Sequence, residues 1–167
     1  MSGTIDLCKG INGAWDASSL ESTFKSYWND PTESEFYVFN DQEAPAEQPS
    51  PYVVMGQPMQ GPPSRQSGGG VATKKRETRD VEINFNVHVE TDADGAYSAK
   101  ELAGELAGKI MAVFGGHPTI SPTAVIALDN GEHLITQYQN DYGIKTGNDE
   151  YQWVIVYLFR IDVPVAV

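Results

Sequence analysis

Two stretches of the chain carry a hydrophobic period clear enough to name an element. Val81, Ile83, Phe85, Val87 and Val89 alternate with Glu82, Asn84, Asn86 and His88, the period of a strand with one buried and one polar face. Leu102, Leu106 and Ile110, helped by Ala103, Ala107, Val113 and Phe114, recur at helical spacing. Ser98 and Glu101 form an S-x-x-E capping box, and Gly115-Gly116 with Pro118 closes the run, so a helix is predicted over 98–114. A shorter helix is predicted earlier, where Leu20, Phe24, Tyr27 and Trp28 share one face. Asp16 or Ser18 caps it and Asn29-Asp30-Pro31 stops it.

Weaker signals fill the rest. Residues 35–39 and the run Tyr52-Val53-Val54-Met55 read as short strands. Residues 124–128 and 134–138 read as a hairpin around Asp129-Asn130-Gly131. The last strand, 151–163, is apolar on both faces. Tyr151, Trp153, Ile155, Tyr157, Phe159 and Ile161 stand on one face, and Val154, Val156 and Leu158 on the other. Such a strand is central, covered on both sides, or pressed against a partner. Residues 1–16, with Gly3, Gly10 and Gly13, read as a flexible leader. Residues 57–79, with Pro58, Gly61-Pro62-Pro63 and Gly68-Gly69-Gly70, show no hydrophobic period and read as one long extended loop. At about 3.3 Å per residue such a loop reaches roughly 70 Å, enough to touch a neighbour.

The element order is helix, strand, strand, loop, strand, helix, hairpin, strand. It lacks βαβ alternation and predicts an α+β fold. The expected architecture is a single domain over 17–167, with a mainly antiparallel or mixed sheet flanked by two helices. The length of 167 residues fits one domain. No apolar run approaches the roughly 20 residues of a membrane helix, and the first residues lack a signal-peptide pattern. A soluble protein, intracellular where it is made, is therefore expected.

Charge adds the most to this picture. The net charge is −12, but residues 64–79 carry Arg65, Lys74, Lys75, Arg76 and Arg79 against Glu77, net +4. The flanks, 1–63 and 80–167, carry −7 and −9. An acidic protein with one basic segment is a poor wrapper of nucleic acid. It suits a strap that docks on an acidic surface, such as a neighbouring copy.

Candidate chemistry is sparse. Glu90, Asp92, Asp94 and Glu101 fall at EF-hand positions 1, 3, 5 and 12, with Gly95 at 6. A weak Ca²⁺ site follows as an alternative; yet position 1 is Glu rather than Asp, and a strand precedes it. A strand end, a turn and a helix cap explain the same residues. The glycines before Lys74-Lys75 lack the P-loop spacing. His88, His117 and His133 have no metal-type spacing and read as solvated, and lone Cys8 reads as a small side chain near the terminus. No nucleophile elbow, zinc-protease or dinucleotide motif is present, so neither enzymatic activity nor a cofactor is expected.

The order of elements resembles a known family. It is carried by the helix from Leu20 to Trp28, the strand Pro51-Tyr52-Val53-Val54-Met55 and the Gly-rich connection. The strand from Val81 to Val87, the Ala/Leu helix from Ala99 to Phe114 and the strand from Tyr151 to Arg160 complete it. Together they look like the tail terminator, or tail completion, and minor tail proteins of long-tailed bacteriophages. That resemblance implies a structural virion protein forming a ring, typically of six subunits, at the head-proximal end of the tail. The ring would end tail-tube polymerisation and join the tail to the neck. Its partners would be other copies of itself, the tail tube protein and a neck or head–tail connector protein, with DNA passing through the channel unbound. Within this frame Arg65, Lys74, Lys75, Arg76 and Arg79 are the expected interface residues. A head–tail connector or other neck protein is the alternative of the same class, and a small Ca²⁺-responsive binding module the alternative of another.

Overall fold

In the computed structural model, residues 3–28, 38–40, 48–56, 59–60, 65–67, 75–90, 98–121, 125–127 and 133–165 are described. They form three helices and one mixed sheet, an α+β fold. The helices are α1 (Gly3–Asp16), α2 (Leu20–Lys25) and α3 (Ala99–Phe114). The strands are β1 (Val38–Asn40), β2 (Tyr52–Met55), β3 (Met59–Gln60), β4 (Arg65–Ser67), β5 (Lys75–Glu90), β6 (Val125–Ala127), β7 (His133–Lys145) and β8 (Glu150–Val165). The sheet order is β1-β2-β5-β8-β7-β6, with β3 and β4 also paired to β5. Only β1 and β2 pair in parallel.

The alternation in β5 decides where the core sits. Val81, Ile83, Phe85, Val87 and Val89 are buried, and across the register so are Ile155, Tyr157 and Phe159 of β8 and Val53 and Met55 of β2. These side chains form one cluster with Leu102, Leu106, Ile110 and Phe114 of α3. The predicted cap of α3 is present, with the Glu101 N–H donating to Ser98 Oγ at 3.2 Å. Helix α2 is shorter than its apolar spacing suggested. Tyr27 and Trp28 lie beyond it, and the Trp28 indole N–H instead donates to the Pro51 carbonyl at 2.9 Å.

Two expectations are corrected. The flexible leader is the helix α1, which makes three helices rather than two. Leu7, Ile11 and Trp15, spaced i, i+4, i+8, are buried in the common core. The glycines looked like breakers, but their cost of about 1 kcal/mol each is small beside the burial of three large side chains. Gly10 is itself buried.

The long loop is also partly strand. Residues 59–60 and 65–67 pair antiparallel with β5, with Met59 opposite Glu82 and Arg65 opposite Thr78, and β5 itself begins at Lys75. Backbone pairing needs no hydrophobic period, so a polar hairpin such as this one leaves little trace in the pattern. The remaining residues of 57–79 lie outside the described part.

Candidate interaction surface

The buried alternation of β5 is described from Val81 to Val89, and the strand continues to Lys75 with β8 paired beside it to Val165. With β4 on its other side, this makes a three-stranded arm beyond the core. The arm gathers the basic cluster. Arg76 is opposite Ser67 of β4 and Pro164 of β8, Arg65 is opposite Thr78, Arg79 is opposite Ile161, and Lys75 is opposite Val165. Lys74 lies outside the described residues. At the root of the arm the Arg160 guanidinium meets the Asp80 carboxylate at 3.1 Å. Both side chains are well exposed, so this pair contributes little stability.

The other end of the same strand pair is acidic. Glu90 stands directly opposite Glu150, and both are exposed. Lys75 and Glu90 are 15 residues apart on one strand, about 50 Å at ~3.3 Å per residue. The arm therefore cannot neutralise its own acidic end. Asp92 and Asp94 of the Ca²⁺ alternative lie outside the described residues, while Glu101 is exposed on the first turn of α3. Among the described residues no group of three or more His, Cys, Asp or Glu side chains is placed to hold a metal.

A third feature is strand β7, which the sequence showed only as far as Tyr138. It pairs with β8 from Ile135 to Lys145, with an irregularity between Tyr138 and Asn140. Its opposite edge meets β6 only at His133–Ile135. Beyond that point no strand covers the outer edge among the described residues. Tyr142 and Ile144 on this strand are 46% and 43% exposed.

The strand is held from the core side by a polar network. Asp141 accepts from the Tyr138 hydroxyl and from the Trp153 indole N–H, the latter at 2.7 Å. Thr136 Oγ1 donates to the Phe114 carbonyl at 2.8 Å, and the Tyr157 hydroxyl donates to the Gly115 carbonyl at 2.9 Å. The end of α3 is thereby tied to β7 and β8. Gly116 is required at this junction: its φ is +68°, and a Cβ there would lie 2.8 Å from the Thr136 carbonyl oxygen. At Gly143 a Cβ would run into the Tyr151 ring, which folds across the strand. Sequence reading missed Asp141, Tyr138 and Trp153 as a group, since they come together only through the β7–β8 register.

Burial, and after it the hydrogen bond and charge of Asp141, push the Tyr138 phenol up to about 12 from the usual 10. A folded-state value above the unfolded one gives stability that is complete below pH 10 and lost as pH rises through about 12. Thermal melts between pH 9 and 13 are expected to show this alkaline limb. In Asp141→Asn the limb should be smaller and end at lower pH, and a limb unchanged by that substitution would contradict the network.

The remaining reactive groups are quiet. Cys8 is half-buried on α1, and burial raises its thiol pKa, which disfavours the nucleophilic thiolate. His88 departs from the solvated reading. It is half-buried, stacks on Tyr52 at 4.8 Å, and burial lowers its pKa. His117 Nδ1 accepts from the backbone N–H of Thr119 and Ile120, both at 3.2 Å.

No family model matches the chain, and no curated protein matches it in sequence. Among solved structures, one chain from the virion of a native gene transfer agent particle overlaps it with a TM-score of 0.52. The overlap covers 93% of this chain and 92% of that one, at 13% identity. The two share a fold. A second solved chain overlaps at a TM-score of 0.42 and 20% identity, over 92% of this chain and 93% of that one, too loosely to bear on the argument. Among the described residues no helix is long and apolar enough to cross a membrane.

Proposed function

We propose that this chain is a structural virion protein that closes into a ring, of six copies as the tail-terminator resemblance implies, at the head-proximal end of a phage tail. There it stops growth of the tail tube and joins the tail to the neck. Its partners are copies of itself, the tube protein and a neck protein, and DNA passes through an acidic channel that repels phosphate. The observation that carries this reading is the basic three-stranded arm. It stands at one end of a sheet whose other end is acidic, too far away for the two to meet within one chain. The fold shared over nearly the whole chain with a virion component supports it.

A ring joined through opposite charges must respond to salt, because the screening length shrinks from about 10 Å at 0.1 M to 3 Å at 1 M. Light scattering is expected to give a discrete multiple of the 18.2 kDa subunit at low ionic strength and a lower mass in 1 M salt. A chain that stays monomeric at low salt, alone and with tube protein, contradicts the proposal.

A further inference from the structure

We infer that one face of the arm, where Arg65, Ser67, Arg76 and Thr78 are brought together by the pairing of β4 with β5, binds a phosphate group.

The argument begins with register. Arg65 is opposite Thr78 and Ser67 is opposite Arg76, with no irregularity between them. Directly paired residues share a face of the sheet, and so do residues two apart on one strand. These four positions therefore form a square, with the two arginines on one diagonal and the two hydroxyl residues on the other. Diagonal positions lie about 7–8 Å apart, within reach of long side chains. The neighbouring strand β8 adds Asp162 opposite Thr78 and Pro164 opposite Arg76.

Charge distinguishes the two faces of the arm. Lys75 and Arg79 alternate onto the opposite face, where Glu77 lies between them and supplies a counter-charge. The face with the square holds two carboxylates among the described residues, Asp80 and Asp162. Asp80 already meets the Arg160 guanidinium at 3.1 Å. That leaves Asp162 against two arginines, so this face keeps a surplus of positive charge.

The residue types name the ligand class. Guanidinium groups are planar forks of donors that match the oxygens of a phosphate, and hydroxyls add single donors to the remaining oxygens. Two of each in one square suit a compact, multiply charged oxyanion. The rest of the chain is strongly acidic, with −7 and −9 on the two flanks of the basic segment. A long nucleic acid is repelled by those flanks, while a single phosphate group is not. Such a group comes either as free inorganic phosphate or as the terminal phosphate of a nucleic-acid strand.

Calorimetry with inorganic phosphate tests this on the full-length chain, with chloride at matched ionic strength as the reference. The titration is run where light scattering gives the 18.2 kDa monomer, so its outcome is independent of the ring reading. Arg65→Gln with Arg76→Gln is expected to weaken binding by about tenfold or more. Ser67→Ala with Thr78→Val leaves the charge unchanged and should weaken it by about threefold or more. Lys75→Gln with Arg79→Gln removes the same charge from the opposite face and should leave binding within about twofold. Circular dichroism checks the fold of each variant. If a pair fails to fold, Arg65→Lys with Arg76→Lys replaces it; this pair keeps the charge, loses the forks and should also weaken binding. Short oligonucleotides with and without a terminal phosphate then separate the sources. Tighter binding of the phosphorylated strand assigns the site to a nucleic-acid end, and equal binding assigns it to free phosphate. A wild-type chain that takes up phosphate no better than chloride overturns the inference. So does an equal loss in the opposite-face variant, which would reduce the effect to overall charge.

Discussion

Phe85→Ala is expected to destabilise the protein by about 3–5 kcal/mol, the range for removing a large aromatic from a closed core. Phe85 is fully buried at the middle of β5, with Met55 of β2 opposite it on one side and Ile155 of β8 on the other. Its ring stacks on Phe114 at 4.8 Å and meets the edge of Tyr157 at 6.0 Å. These two neighbours matter beyond packing. The Phe114 carbonyl receives Thr136, and the Tyr157 hydroxyl holds the Gly115 carbonyl, so both tie α3 to the β7–β8 pair. Losing the ring should therefore loosen the junction of α3 with β7 and β8. Urea denaturation measures this directly: the midpoint should fall while the slope stays unchanged. A loss below about 1 kcal/mol would mean the core is not built around this ring.

Trp15→Ala should cost a similar amount, about 3–5 kcal/mol. Trp15 is only 2% exposed and lies 5.8 Å from the Phe24 ring at a tilt of 54°. If residues 1–16 were the loose leader suggested by their glycines, the same change would stay within about 0.5 kcal/mol, as surface substitutions do. The experiment separates the two pictures of the N-terminus, and thermal melting suffices to read it.

Those two positions also show why the sequence was legible in one place and opaque in another. Phe85 sits in a five-fold alternation of apolar and polar residues, and α3 carries a cap, a stripe and a glycine stop. Both elements were readable because period and punctuation agree there. In α1 they conflict: Leu7, Ile11 and Trp15 keep helical spacing, yet Gly10 and Gly13 interrupt it, and only tertiary burial resolves the conflict. The arm failed for a different reason. Residues 59–60, 65–67 and 75–79 have no apolar period, and what holds them is strand pairing through backbone hydrogen bonds.

The candidate surface was legible only as charge. Arg65, Lys75, Arg76 and Arg79 could be named from the sequence, and the structure adds that register brings them onto one arm. The open edge of β7 and the Asp141 network left no signal, since each depends on which strand lies beside which. The two-faced apolar pattern of 151–163 left open a central strand, one covered on both sides or one pressed against a partner, and the structure shows a central one: β8 runs between β5 and β7, with Val154 only 3% exposed on the face away from the helices.

Negative-stain electron microscopy of the low-salt assembly tests the central claim most directly. The account predicts end-on views of closed rings with a central hole, which disappear when Arg65 and Arg76 are reversed to glutamate. Compact two-fold dimers without a hole, or rings that persist unchanged after that reversal, would contradict it.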